Sequence, residues 1–176
     1  KAWGVNNLSD KVGLMIPDMM ASLPSKKVRA FYIFGENLAR TDPNITHVEH
    51  ELESAEFLVC NDIFQTETTR FADVIFPAAA WCEDDGTFTS SERRVNRVRK
   101  IKDAPGQAKP NWWIFKQLAK RFGHEWPSNS GQEIWDNELS QLAPAYGGIK
   151  FNRIEHDGLQ WPCPNEEHPG TVFLHK

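Results

Sequence analysis

The chain has 176 residues, with 20 lysines and arginines against 24 aspartates and glutamates, so its formal net charge is -4. Hydrophobic residues make up 40% and charged residues 25%, which is ordinary for a globular domain with a hydrophobic core. The acidic balance argues against nucleic acid as a partner, because phosphates bind basic surfaces. No apolar run approaches the roughly 20 residues of a membrane span, and no signal-peptide pattern is found, so we expect neither feature.

The cysteines and the two ends of the chain bear on its setting. The three cysteines stand far apart, which fits neither a disulfide framework nor a paired-cysteine metal site. We interpret Cys60, Cys82 and Cys163 as reduced thiols, which favours a cytoplasmic protein. Because the chain starts without a methionine at Lys1 and stops abruptly at Lys176, we expect it to be a fragment of a longer protein.

The chain begins with a stretch that has no clear period, residues 1–27, which we predict to be a connecting segment. The first strand is predicted at 28–34, where the residues are apolar and aromatic almost throughout. It ends in Gly35, Glu36 and Asn37. A glycine at this point permits a tight turn and lets the backbone approach a ligand closely.

A helix is predicted at 44–53. Apolar residues recur there at the spacing of one buried helix face, namely Ile45, Val48 and Leu52. Together with the strands before and after it, this helix forms a β-α-β unit, whose right-handed crossover makes the two strands parallel. His47 and His50 could in principle share a metal ion, but without a third ligand nearby they are more typical of a solvated face.

The second strand is predicted at 57–60 and is followed at once by Asn61 and Asp62, while a third strand at 72–76 is stopped by Pro77. In a parallel sheet the carboxyl ends of the strands lie at one edge, where ligands dock. Asp62 can accept hydrogen bonds from a ribose or a purine amine there, or it can simply cap the following turn. The spacing alone favours neither interpretation.

An acidic loop at 77–89, which contains Asp84, is followed by alternating basic and apolar residues at 92–100. The alternation predicts an exposed edge strand, whose charges discourage pairing with another chain. The clustered cations also allow a phosphate-binding interpretation, which the alternation favours less.

The second half of the chain is predicted to contain two helices. The first runs over 111–122, with Asn111 as its N-cap and Gly123 at its C-terminal end, and the second runs over 130–142. The predicted buried face of the first helix consists of Trp112, Phe115, Leu118, Ala119 and Phe122. From Tyr146 onward the chain is rich in glycine and proline, which predicts an irregular surface arm.

Four stretches form a recognisable series: GEN at 35–37, TET at 66–68, ADVIFP at 72–77 and WCEDDGTFTSSERRVNRV at 81–98. This series resembles the molybdopterin oxidoreductases that carry a molybdenum bis(guanine dinucleotide) cofactor. Within that family the chain is most similar to the catalytic subunit of formate dehydrogenase, above all through LQWPCP at 159–164. The resemblance covers nearly the whole chain.

The resemblance implies an α/β fold, with a Rossmann-like parallel sheet flanked by helices and an irregular C-terminal arm rich in proline and glycine. The expected domains are a connecting segment at 1–27, a Rossmann-like cofactor-binding domain at 28–145, and an extended arm at 146–176 that leads toward the next domain.

The resemblance also implies which residues contact the cofactor, a molybdopterin guanine dinucleotide. Asn37 and Thr41 match positions that contact the dinucleotide, and Asn111 matches a position that is commonly an aspartate recognising guanine. An asparagine cannot supply that charged acceptor. Together with the polar strand ends and the acidic loop, the expected cofactor-binding residues are Gly35, Glu36, Asn37, Thr41, Asn61, Asp62, Asp84 and Asn111.

No catalytic constellation can be built from the sequence, since it has no nucleophile paired with a base and no phosphate loop. The cluster cysteines and the selenocysteine or cysteine that ligates molybdenum in the family are also absent. The resemblance therefore implies a cofactor-anchoring part of a catalytic subunit, without a metal ligand or redox centre and inactive alone. In the parent enzyme it implies oxidation of formate to carbon dioxide, with an iron-sulfur cluster bound elsewhere and with partners in the same subunit and in electron-transfer subunits.

Two alternatives stay open. GEN and WCEDDGTF do not separate a formate dehydrogenase from another family member such as a nitrate reductase. A cofactor-free structural module of the same fold, as in the large iron-sulfur subunit of respiratory NADH dehydrogenases, is the second alternative. An upstream cluster motif followed by a metal-ligating selenocysteine or cysteine would favour formate dehydrogenase.

Overall fold

The computed structural model describes residues 6–175, which divide into two compact units. The parallel-sheet unit comprises residues 8–78 and 106–109, and the antiparallel-sheet unit comprises the rest. Each unit has a hydrophobic core of its own, so the two are described separately. None of the described helices is both long and apolar enough to cross a bilayer.

The parallel-sheet unit contains the three strands that the sequence predicts, β1 (Ala30–Phe34), β2 (Phe57–Asp62) and β3 (Val74–Pro77). They lie side by side in the order β1-β2-β3, and both pairs are parallel. The predicted parallel α/β sheet is therefore confirmed. The second strand continues two residues beyond its predicted end, because Asn61 and Asp62 pair with Phe76 and Pro77.

Three helices accompany this sheet: α1 (Ile16–Ala21), α2 (Leu38–Thr41) and α3 (Ile45–Glu53). The one-turn helix α2 was not predicted, because four residues are too few to show a period. The core of the unit contains Met20, Leu23, Ile33, Leu38, Ala39, Val48, Leu52, Leu58 and Cys60.

The buried face of α3 differs from the predicted one. Val48 and Leu52 are buried as predicted, but Ile45 is 51% exposed. Ile45 is the first residue of the helix, so the buried face begins one turn later than expected. Glu51 takes the remaining buried position, and its carboxylate contacts His47.

The antiparallel-sheet unit contains β4 (Gly86–Thr89), β5 (Arg94–Val98) and β6 (Leu159–Gln160), in the order β4-β5-β6. The prediction of an exposed edge strand at 92–100 was wrong, because β5 is the central strand and Val95 is fully buried. Its arginines contact groups inside the unit. The Arg97 guanidinium, for example, lies 4.4 Å from the centre of the Phe151 ring.

The helices of this unit are α4 (Asn111–Arg121), α5 (Gly131–Glu133) and α6 (Ser140–Leu142), with a π-helical stretch, Ile134–Leu139, between the last two. The helix predicted at 130–142 therefore forms with a widened middle. Ser130 caps its start, since its hydroxyl accepts a hydrogen bond of 3.1 Å from the Glu133 backbone N–H.

The predicted ends of α4 are partly right. Gly123 has a φ of +82°, which suits the left-handed position after a helix. Asn111 is the first helical residue, and Pro110 occupies the N-cap position that we predicted for Asn111. The predicted buried face is only partly right: Trp112, Phe115, Leu118 and Ala119 are half-buried, but Phe122 is 79% exposed and the buried residue of the helix is Ile114.

The first part of the C-terminal segment, which the sequence suggested forms a surface arm, packs into the core of its unit, whereas most residues after Cys163 are exposed. Ile149, Phe151, Ile154 and Cys163 are buried in one cluster with Val95 and Trp135. The Arg153 guanidinium holds this segment closed, since it donates hydrogen bonds to the carbonyls of Gly148 and His168 at 2.6 and 2.8 Å. The domain boundaries at 28 and 146 concern the longer protein and stay predictions.

We expect Gly148→Ala to destabilise the protein by about 3 kcal/mol or more, at or beyond the upper end of typical overpacking costs. A Cβ at this position would stand 1.8 Å from the backbone oxygen of Asn165, so two segments of the chain would have to separate. Gly86→Ala is the matched control in the same unit, because nothing lies within 4 Å of its added Cβ. Urea unfolding measures both changes, and an equal loss in the two variants would contradict this packing.

Candidate functional site

Gly35 turns the chain at the carboxyl end of β1. It has a φ of +62°, a conformation that glycine adopts at little cost. Its N–H donates a hydrogen bond of 2.9 Å to the backbone oxygen of Asn61, so the strand pairing continues one residue beyond β1. Nothing lies within 4 Å of the position that a Cβ would occupy, and the backbone at Gly35 therefore faces open space.

Asn61 joins the three strands at the same edge. Its side chain is buried, with 1% of the residue exposed. The side-chain oxygen accepts a hydrogen bond of 3.1 Å from the Tyr32 hydroxyl of β1, and the side-chain nitrogen lies 3.4 Å from the Phe76 carbonyl of β3. Burial raises the pKa of Tyr32, which keeps its hydroxyl a donor. The structure therefore gives Asn61 a role in holding the strand ends together.

Asn37 links the loop after β1 to the loop after β2. Its side-chain oxygen accepts hydrogen bonds from the Thr68 hydroxyl at 2.8 Å and from the Thr68 N–H at 3.3 Å. Its side-chain nitrogen donates to Glu67 at 2.8 Å. This hydrogen bond is the main reason that the pKa of Glu67 is lowered, and the nearby Arg40 guanidinium lowers it further. The two loops are thus fixed relative to each other.

Glu36 and Thr41 interact within the first of these loops. The Thr41 hydroxyl donates a hydrogen bond of 2.8 Å to the Glu36 carboxylate, which also accepts one of 3.1 Å from the Asn37 N–H. Both predicted residues therefore stabilise the turn that leads into α2.

Asp62 is the last residue of β2, at the edge where it was predicted. One carboxylate oxygen accepts a hydrogen bond of 3.0 Å from the Phe64 N–H, which closes the next turn. The interpretation of Asp62 as a turn cap is therefore confirmed. Because a carboxylate has several acceptor positions, this bond is compatible with a further contact to a ligand, which stays a prediction.

Thr66, which we did not predict as a site residue, stands in the loop after Asp62. Its hydroxyl oxygen is inaccessible to solvent and makes no hydrogen bond with any described residue. Buried polar atoms without a partner are rare in folded proteins and call for an explanation such as a ligand. In the sequence, only the position of Thr66 in the TET motif, four residues after Asp62, marks it as a possible site residue. A single hydroxyl group forms no sequence pattern that would identify it.

The remaining two predicted residues, Asp84 and Asn111, belong to the antiparallel-sheet unit. One Asp84 carboxylate oxygen accepts a hydrogen bond of 2.9 Å from the indole N–H of Trp112, the neighbour of Asn111. Burial raises the pKa of Asp84, and the Trp112 hydrogen bond offsets part of that effect. The structure thus brings the acidic loop to the start of α4.

No group of three or more histidine, cysteine, aspartate or glutamate side chains suited to a metal ion occurs within residues 6–175. His47, which we considered as a ligand together with His50, instead contacts Glu51 through Nε2 at 2.9 Å.

Comparison with known proteins identifies the family. The model of the family described as molybdopterin oxidoreductase matches residues 3–121, which is more than half of the chain. The chain belongs to the molybdopterin oxidoreductase family.

Several curated relatives are formate dehydrogenase subunits. The chain is 46% identical to F420-dependent formate dehydrogenase 2 subunit alpha of Methanococcus maripaludis, over 99% of this chain and 26% of that protein. It is 45% identical to F420-dependent formate dehydrogenase subunit alpha of Methanocaldococcus jannaschii, over 97% of this chain and 25% of that protein. The chain therefore spans about a quarter of the length of these relatives.

A solved structure confirms the fold. Acetylene hydratase from Pelobacter acetylenicus matches 80% of this chain and 20% of its own chain, with a TM-score of 0.66. The sequence identity is 21%, so this likeness concerns the fold alone.

We expect Asn37→Ala to raise the pKa of Glu67 toward its ordinary value of 4.5, because the variant removes the main cause of the lowered pKa. A carboxylate whose folded-state pKa is lowered stabilises the fold above its unfolded pKa, and this contribution is lost as the pH falls through the folded pKa. The variant should therefore lose less stability on acidification than the unsubstituted protein does. Nuclear magnetic resonance titration of the Glu67 carboxyl measures the change.

Arg40→Ala is the matched control, because the Coulomb attraction and the hydrogen bond of the Arg40 guanidinium each lower the pKa of Glu67 less than the Asn37 hydrogen bond does. It should raise the pKa of Glu67 by a smaller amount. A larger effect of Arg40→Ala than of Asn37→Ala would contradict the proposed order of causes.

Proposed function

We propose that this chain is part of the catalytic subunit of a molybdenum-dependent formate dehydrogenase and binds one molybdopterin guanine dinucleotide. The observation that carries this proposal is the polar edge of the parallel sheet, where Gly35 follows β1, Asp62 ends the neighbouring β2 and Thr66 lies in the loop after it. Ligands of open α/β sheets bind beyond the carboxyl ends of the strands, and this edge has that position.

The residues at this edge fit a nucleotide-like group. Gly35 has open space beside its backbone, so a flat or bulky ligand can approach closely. The Thr66 hydroxyl is buried and lacks a partner among the described residues. Because this oxygen is inaccessible in the free protein, the Thr66 side chain would have to turn toward the edge before a ligand oxygen or nitrogen satisfies it. Asp62 offers an acceptor to ribose hydroxyls or to guanine N–H groups.

The other predicted residues at this edge support the site by positioning it. Asn37 and Glu36 use their side chains to fix the loop after β1, and Asn61 uses its own to align the strand ends. We therefore assign direct contact with the dinucleotide to Asp62, Thr66 and the backbone at Gly35. Asp84 and Asn111 remain proposed contacts to the cofactor on the ground of the family resemblance.

Formate as the substrate is supported by the relatives, which are named as alpha subunits of formate dehydrogenases. When bound, the molybdenum cofactor supplies the two-electron redox centre for the oxidation of formate to carbon dioxide. We propose that the metal ligand and an iron-sulfur cluster belong to the remainder of the longer polypeptide. The task of this chain is then to bind and orient the dinucleotide end of the cofactor.

We expect Asp62→Ala in the full-length enzyme to weaken cofactor binding roughly tenfold to a hundredfold, because it removes a charge-assisted hydrogen bond worth about 1.5 to 3 kcal/mol. The molybdenum and guanine nucleotide content per folded subunit should fall, while the circular dichroism spectrum stays the same. Asp62 is only half-buried at a strand end, so its loss affects packing little.

Asp73→Ala is the matched control. The Asp73 carboxylate accepts a hydrogen bond of 2.7 Å from the Leu58 N–H, which holds the start of β2. Its replacement should lower the stability of the fold more than it lowers the cofactor content per folded subunit. Unchanged cofactor content in a stable Asp62→Ala enzyme would remove Asp62 from the site.

A further inference from the structure

The Thr68 hydroxyl joins the loop after β2 to the chain that follows β1. It donates a hydrogen bond of 2.8 Å to the side-chain oxygen of Asn37 and accepts one of 3.0 Å from the Ala39 N–H. The Thr68 N–H donates to the same Asn37 oxygen at 3.3 Å. Thr68 therefore connects its own loop both to the end of the first loop and to the start of α2.

The bond to Ala39 caps α2 from outside the helix. The first N–H groups of a helix have no partner within it, and the side chain of the N-cap residue usually satisfies one of them. Asn37 is the N-cap residue of α2, but in the described part of the chain its side chain forms no capping bond, and its oxygen accepts from Thr68 instead. The second loop therefore supplies the cap that the first loop lacks.

Burial makes this connection costly to lose. Thr68 is 0% exposed and Ala39 is 3% exposed. A buried N–H that loses its acceptor leaves its desolvation uncompensated, so loss of the Thr68 hydroxyl favours a shift of α2 away from the second loop. Because Thr68 has no exposed surface, it acts on a ligand only through the residues that it positions.

The proposed contacts to the cofactor lie on both sides of this connection. The backbone at Gly35 precedes α2, whereas Asp62 and Thr66 precede Thr68. The Thr66 carbonyl is held by Thr69, the neighbour of Thr68, whose N–H and hydroxyl donate to it at 3.2 and 2.7 Å. A displacement of Thr68 is therefore passed on to Thr66.

We propose that Thr68 is a positioning residue of the cofactor site, whose hydroxyl sets the separation between Gly35 on one side and Asp62 and Thr66 on the other. This inference rests on the proposed binding of a molybdopterin guanine dinucleotide at the sheet edge. Loops that are fixed before binding lose little conformational entropy when the ligand arrives. Loss of the Thr68 hydroxyl therefore weakens binding although it removes no contact to the ligand.

The test compares Thr68→Val with Thr68→Ser in the full-length holoenzyme. Valine keeps the shape of threonine and removes the hydroxyl, whereas serine keeps the hydroxyl and loses a methyl group, which leaves a small cavity. Asp73→Ala is the control for lost stability, because Asp73 holds the opposite end of β2 through the Leu58 N–H. Asp62→Ala is the control for the site itself.

We expect Thr68→Val to release guanine nucleotide from the folded enzyme about tenfold faster, and Thr68→Ser and Asp73→Ala to release it less than about twofold faster. Hydrogen exchange of the Ala39 amide, measured by mass spectrometry on the same enzymes, reports the connection without reference to the cofactor. This amide should exchange at least about tenfold faster in Thr68→Val and stay protected in Thr68→Ser.

Release as fast in Thr68→Ser and Asp73→Ala as in Thr68→Val would overturn the inference, because release would then follow stability alone. Unchanged exchange of the Ala39 amide in Thr68→Val would overturn it as well. Normal release in Thr68→Val beside faster release in Asp62→Ala would reject the positioning role and support the proposed function. Unchanged release in both of these variants, with faster exchange at Ala39 in Thr68→Val, would reject the cofactor site at this edge and the inference with it.

Discussion

The buried side chain of Asn61 is the contact on which the geometry of the sheet edge depends. It receives a hydrogen bond from Tyr32 on β1 and reaches the Phe76 carbonyl on β3, so a single amide spans three parallel strands. A buried amide without partners would cost about 1 to 3 kcal/mol, which makes any sliding of one strand past another unfavourable. The positions of Gly35 and Asp62 at the edge follow from this alignment.

Asn37 has the corresponding role for the loops. Its amide ties Thr68 and Glu67 to the turn after β1. The fully buried Thr68 hydroxyl in turn accepts a hydrogen bond of 3.0 Å from the Ala39 N–H. These contacts hold the loop that contains Thr66 in one conformation before a ligand arrives. A site whose loops are fixed in this way loses little entropy on binding, which favours tight retention of a large cofactor.

The sequence alone was sufficient for the parallel sheet and for α3, because apolar runs and helical spacing are local patterns. It failed where distant residues decide the outcome. The arginines of β5 seemed exposed, yet Arg97 lies against the Phe151 ring and Arg94 donates a hydrogen bond to the Gly158 carbonyl, and both partners are more than 50 residues away in the chain. Ile149, Phe151, Ile154 and Cys163 in the apparent arm after residue 146 are buried for the same reason, since Arg153 and Gly148 allow close packing with little regular structure.

The candidate site also has features that the sequence could predict and features that only the structure shows. Strand-end polarity correctly placed Asp62 and Asn61 at one edge, but it could not show that the Asn61 and Asn37 side chains are engaged by the protein. Thr66 escaped notice because only the structure shows that its hydroxyl is buried without a partner. Residues that hold the site in place and residues that contact a ligand look alike in a sequence, since both are polar and lie in loops.

The most direct measurement is an experimental structure of the full-length enzyme with its cofactor bound. Atoms of the guanine dinucleotide should lie within about 3.2 Å of both the Asp62 carboxylate and the Thr66 hydroxyl, which is hydrogen-bonding distance. A cofactor whose atoms all lie more than roughly 5 Å from both groups, too far for any direct hydrogen bond, would contradict it.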